Sequence, residues 1–223
     1  MMYANSRDIR SAQIAPHEHL AELVRRHCVH EFQKPVAPWN RDAFEQAMTA
    51  WGGGRPLLLD AGCGVGWSSL QLARRYPDHF VLGVDQSADR LARSKPGAGD
   101  WPDNLCFVRA DLVDFWALLR QSEIRLARHY ILYPNPWPKI GHLARRWHGH
   151  AIFPTIVELG GVFESRSNWS IYLEELAQAL RIVTNREALL DQIDVEEPLT
   201  LFERKYRDSG QALYRLSIDL GTE

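Results

Sequence analysis

Residues 57–73, LLLDAGCGVGWSSLQLA, run from an apolar strand-like segment through a glycine-rich loop into a helix-like segment. Gly62, Gly64 and Gly66 fall where missing side chains let a ligand approach the backbone closely, so the loop reads as the first βα turn of a nucleotide-type fold. The preceding run Gly52-Gly53-Gly54-Arg55-Pro56 breaks any earlier helix and marks the start of the sheet. Downstream, the strand-like runs FVLGVD, LCFVRAD, HYILY and GGVFESR alternate with the helix-like runs SADRLARS, DFWALL, the stretch around HLARRW and IYLEELAQAL. Repeated βα predicts an α/β fold with a doubly wound, mostly parallel sheet. The tail LTLFERKYRDSGQALYRLSIDL reads as two extended segments around a glycine-containing turn, an antiparallel hairpin at one sheet edge.

Ahead of the sheet, residues 1–16 are polar and aperiodic, a loose arm. HEHLAELVRRHCVHEF carries apolar residues at helical spacing until Lys34-Pro35, and RDAFEQAMTAW predicts a second helix. Residues 1–50 are thus expected to form an arm and helices packing on the core, and 51–223 the ligand-binding unit of one structural domain. With 223 residues, 45% of them hydrophobic, the chain can bury a full core. A formal net charge of -2 supplies no global attraction to polyanions, so such a partner needs a local patch. Cys28, Cys63 and Cys106 are odd in number and without a CxxC pair, which suits a reducing, cytoplasmic setting. No run of eighteen apolar residues and no apolar leader is present, so no membrane segment is expected. None of the nine histidines joins cysteines or acids at a zinc-binding spacing, and no metal is expected.

Three consecutive strand-like runs end in acids, Asp60, Asp85 and Asp111. A dinucleotide fingerprint would place its third glycine at Trp67, and a carboxylate at Asp60 would repel a diphosphate. S-adenosylmethionine has no phosphate but carries an ammonium, which Asp60 attracts. Asp85, about 20 residues past the loop, suits a ribose diol, and Asp111 an adenine amine. Each acid alone could equally cap the next helix.

After the fourth strand, Pro134, Pro136 and Pro138 stiffen the loop YPNPWPK and aim Asn135 at the carboxyl end of the sheet, where ligands bind in open α/β folds. Between Arg120 and His150 stand Arg120, Arg125, Arg128, Lys139, Arg145 and Arg146 against one acid, Glu123. Arg145 and Arg146 are the expected phosphate contacts, and Trp137 the one tryptophan read as base-stacking.

DAGCGVG, GVD and RAD resemble the first motifs of class I S-adenosylmethionine-dependent methyltransferases, which implies a Rossmann-like, seven-stranded sheet with an antiparallel edge hairpin. On that resemblance Asp60, Gly62, Cys63, Gly64, Asp85, Gln86, Ala110, Asp111 and Asn135 line the cofactor. LYPNPWPKIGHLARRW, ELGGVFESRSNWSIYLEEL and LTLFERKYRDSG together resemble the bacterial tRNA (guanine-N7)-methyltransferase family over about residues 57–215. The resemblance implies a catalytic role for Asn135 and substrate contacts from Lys139, Asn168, Thr200, Phe202 and Glu203, with tRNA as partner.

The family pattern has aspartate where this chain has Asn135 and Asn168. Guanine N7 attacks through a free lone pair, and a nearby carboxylate stabilises the cationic product ring; asparagine offers only dipoles. Two alternatives follow: an N-methyltransferase of a small heteroaromatic or amine, since Asn-Pro-aromatic also resembles the amino-methyltransferase loop, or a catalytically silent cofactor- or RNA-binding module. Monomer and homodimer are both open.

Overall fold

The computed structural model describes residues 6–94 and 101–221. Strands β1 (Leu57–Ala61), β2 (Phe80–Asp85), β3 (Leu105–Arg109), β4 (Arg128–Leu132) and β5 (Val162–Ser167) are joined by helical crossovers and pair in parallel. Every residue of β1 and β2 is buried, as expected of central parallel strands covered on both faces. With β6 (Leu189–Ile193) and β7 (Leu213–Asp219) the sheet has seven strands in the order β3-β2-β1-β4-β5-β7-β6. β7 pairs antiparallel with both β5 and β6. The strand order turns between β1 and β4, so the crevice for a ligand opens beyond their carboxyl ends.

Alternation along β1 sends Leu57, Leu59 and Ala61 into one core and Leu58 into another. The larger core also takes Leu20 and Val24 of α1 (Leu20–Val29) and Phe44 and Ala47 of α2 (Pro38–Trp51), so the N-terminal helices share the hydrophobic core of the sheet. The smaller one gathers Leu72 and Ala73 of α3 (Trp67–Arg75), Val81, Tyr130 and Leu132. Gly66, at φ +73°, is the turn into α3, and a Cβ there would overlap the Phe107 ring of β3. Only glycine allows that approach. The remaining helices are α4 (Ala88–Ala92), α5 (Leu112–Gln121), α6 (Phe153–Glu158), α7 (Ser170–Thr184) and α8 (Leu201–Asp208). Among the described residues, no helix is long and apolar enough to cross a membrane.

The tail departs from the sequence expectation. LTLFERKY is not a strand: residues 201–208 form α8, and the edge hairpin joins β7 to β6 across that helix. Thr200 caps α8, its hydroxyl accepting from Glu203 N at 2.9 Å. The stretch around HLARRW forms two 3-10 turns, Ile140–Arg145 and Trp147–Gly149. The first five residues of the arm lie outside the described residues. The rest is pinned, with Ser11 Oγ donating to Pro138 O at 2.6 Å and Gln13 buried.

Candidate active site at the carboxyl ends of β1, β2 and β4

Asp60 is buried at the end of β1, its Oδ2 accepting from the hydroxyls of Ser68 and Ser69, both at 2.6 Å. Burial pushes its carboxyl up to about 6 against the pull of those two hydroxyls, with the nearby Asp85 charge adding to the rise. A buried carboxylate so raised favours a cationic ligand group. The loop above it has already committed its donors: Gly62 N and Cys63 N both reach Val84 O, at 2.8 and 3.1 Å, and Gly64 N reaches Asp85 Oδ2 at 2.9 Å. Amides so occupied do not form an anion nest, which argues against a diphosphate ligand. Above Gly64 a Cβ would meet nothing within 4 Å, so the loop borders open space.

Asp85, buried at the end of β2, also accepts from Ser87 N at 2.8 Å and pairs with Arg90 at 3.2 Å. Gln86 is exposed beside it, and Ala110 is buried, its N–H donating to Asp85 O at 3.2 Å. Asp111 caps α5, its Oδ1 accepting from Val113 N and Asp114 N. Its own N–H donates to Asn40 Oδ1 at 2.9 Å, a link to α2 that the sequence did not announce. Cys63 is buried and its thiol pushed well above the ordinary range, chiefly by burial, so it is a wall of the loop rather than a nucleophile.

β4 lies beside β1 with Tyr130 in register with Asp60, which brings the proline loop next to the glycine loop. Tyr133 and Trp137 bracket that loop at φ +49° and +47°, left-handed backbone that non-glycine residues adopt only under constraint. Asn135 is exposed between them, its Oδ1 accepting from Trp137 N at 3.3 Å. Much of the constraint comes from Arg146. Its Nε and Nη2 donate to Trp137 O at 3.3 and 3.0 Å, and its guanidinium lies 5.0 Å from the Trp169 ring centre.

Arg146 is therefore no phosphate contact. It is fully buried and paired with Glu175 of α7, and Gln13 of the arm bonds both partners. The basic run also disperses: Arg120 pairs with Glu31 and Glu158, and Arg128 lies over the Tyr76 ring. Lys139 and Arg145 remain exposed near the site, with Arg145 4.9 Å from the centre of the Trp137 ring.

Glu203 is a second correction. It is fully buried, accepting from Tyr133 Oη at 2.9 Å, from Arg166 Nη1 at 3.0 Å and from Leu199 N. With its oxygens so engaged it braces α8 against β4 and β5 instead of meeting a substrate, nor does it pair with Arg204 or Lys205. Thr200 is likewise buried as the helix cap, whereas Phe202 is exposed. Asn168 is half-buried and donates to Gln211 Oε1 at 2.7 Å, and Gln211 donates on to Ser6 O at 2.9 Å. The arm thus runs from Asn168's neighbour to the proline loop. Sequence reasoning missed this strap, together with Ser68, Ser69, Gln13 and Glu175; Ser68 and Ser69, directly after the loop, were the ones with a readable signal.

Residues 54–216 match the Methyltransf_4 family model, described as "Putative methyltransferase". The tRNA (guanine-N(7)-)-methyltransferase of Acinetobacter baylyi is 27% identical over 170 residues, covering 71% of this chain and 67% of that protein. A solved structure described as an antibiotic related methyltransferase superposes with a TM-score of 0.57 at 17% identity, over 84% of this chain and 96% of the other. A point mutant of the 16S rRNA (adenine(1408)-N(1))-methyltransferase from Catenulisporales acidiphilia, solved with cosubstrate SAM, gives a TM-score of 0.52 at 18% identity, over 78% of this chain and 89% of the other.

Proposed function

Since the chain belongs to the "Putative methyltransferase" family and is a methyltransferase, we propose that it uses S-adenosylmethionine to methylate guanine N7 in tRNA. The observation that carries this reading is Asn135, exposed and fixed between left-handed Tyr133 and Trp137 on the loop that follows β4, the strand paired with β1 at Asp60. The residues present fit the cofactor: a buried carboxylate at Asp60 awaits a cation, and open space lies over Gly64. When bound, the cofactor supplies an electrophilic methyl group, which passes to N7 as the sulfonium becomes a neutral thioether.

Asp60 holds the ammonium, Asp85 the ribose, with Arg90 sharing its carboxylate, and Asp111 the adenine amine. Guanine presents N7 and O6 as neighbouring acceptors. The Asn135 amide N–H donates to O6 and aligns N7 without a base, because no proton leaves that nitrogen. Lys139 and Arg145 meet the flanking phosphates.

Incubation with methyl-labelled cofactor and unmodified tRNA, followed by nucleoside digestion, tests the reading. Labelled 7-methylguanosine is expected. Label only in a parallel small-metabolite extract, or in neither reaction, rejects it.

A further inference from the structure

Helix α8 carries two aromatic rings, Phe202 and Tyr206, of which the family resemblance implies for Phe202 a substrate contact without saying what it meets. Phe202 is 55% exposed, and its ring stacks on Tyr206 one turn later, with centres 6.2 Å apart and planes 25° apart. Tyr206 packs in turn on Tyr133, with centres 5.6 Å apart. The row leads from solvent to the residue two before Asn135. Its surroundings are basic: Arg204 and Lys205 are exposed, and the Arg204 guanidinium lies 5.9 Å from the ring centre of Trp67, the first residue of α3 after the glycine loop. The two acids of α8 do not offset these cations, because Glu203 is buried against Arg166 and Asp208 pairs with Arg207.

Building on RNA as the substrate, we propose that α8 is a stacking platform for an unpaired nucleobase next to the methylated guanine. Phe202 takes the face of the base, and Arg204 and Lys205 take its phosphates. Every base has a π-face, so an exposed ring flanked by cations selects a polyanion that carries planar rings. An apolar partner would leave the two cations without purpose. Tyr206, held between two other rings, keeps the Phe202 ring in place, so little side-chain freedom is lost on stacking.

The test measures affinity for an unmodified tRNA transcript by fluorescence anisotropy, with heparin as a polyanion lacking bases. Phe202→Ala should weaken tRNA binding about tenfold, within the range for loss of one base–aromatic stack, and leave heparin binding unchanged. Phe202→Trp should restore the affinity, and Tyr206→Phe, which keeps the ring, should retain it. Wild-type tRNA affinity in Phe202→Ala, or equal losses for tRNA and heparin, would overturn the platform. Such a result from a protein whose wild type labels tRNA leaves the methylation standing. A wild type that labels no RNA removes the reading beneath the platform, and that failure is seen in the methyl label rather than in the affinity ratio.

Discussion

Arg146 and Glu175 have no exposed side-chain surface, and Nη1 of the first lies 2.5 Å from Oε2 of the second. His148 Nε2 reaches the same oxygen at 2.8 Å, while Gln13 donates to Oε1 at 2.6 Å and accepts from Arg146 Nη2 at 2.9 Å. The closed ring satisfies two charges that would otherwise be ruinous to bury. It also joins the arm, the proline loop and α7 in one unit.

Breaking the ring on one side should therefore be severe. Glu175→Gln leaves a buried guanidinium unpaired and should cost about 3–5 kcal/mol in urea unfolding. Replacing both partners, Arg146→Met with Glu175→Leu, removes both charges and should recover part of that stability, the rest staying lost because Gln13 and His148 keep buried polar groups without their partner. It should not recover turnover, because nothing then holds Trp137 O. A double variant with wild-type kcat would contradict the positioning role.

The same ring predicts an acid window. Burial alone would raise the Glu175 carboxyl, but the hydrogen bonds and charges of His148 and Arg146, with Gln13, hold it down at about 2, against an ordinary 4.5. Its contribution is fully present above pH 4.5 and is lost as the pH falls toward 2. The paired Met/Leu variant should show a shallower loss of unfolding free energy in that window than wild type.

Asp60 has the opposite sign. Its carboxyl, raised to about 6 from 3.8, makes the ionised form a liability to the empty fold above pH 6, and the liability fades as the pH falls toward 3.8. Asp60→Asn should raise the melting temperature at about pH 8 relative to wild type, with the gain vanishing near the ordinary carboxyl range. Calorimetry at the higher pH should also show a loss of cofactor affinity of about tenfold or more, the size expected when one charge-assisted hydrogen bond is removed. A stabilised variant with intact affinity would remove Asp60 from the cofactor site.

Restoring a carboxylate at the proline loop should speed the reaction. Asn135→Asp places a charge where the cationic purine forms, and single preorganised groups of this kind are worth about 10²–10³ in kcat. Single-turnover rates of 7-methylguanosine formation measure the change. A lower rate would mean that the amide donor to O6 outweighs the missing charge.

Strands β1 to β4 were legible because each is a short, largely apolar run closed by proline or an acid, whereas β5, VFESRS, was marked by the Gly160-Gly161 pair ahead of it. α8 was misread because LTLFERKY alternates like a strand, although Thr200-Leu-Phe-Glu203 carries the spacing of a capping box, and Thr200 does cap the helix. The glycine loop and the acids after β1 and β2 were readable for the same local reason. Arg146 was not: a cation after Arg145 looks like a solvated one, and only the fold brings Glu175 and Gln13 to it. Glu203 was misjudged similarly, since Arg166 lies 37 residues away in sequence.

The ring around Glu175 also bears on how such a chain can drift. Gln13, Arg146 and His148 all bond Glu175 in the buried interior, so losing Glu175 or Arg146 alone first passes through a chain with an orphaned buried group. Single steps are blocked where a concerted change is not. In descendants of this sequence the four positions should be inherited as a set, or exchanged together for an apolar filling, even though they are scattered from the arm to α7.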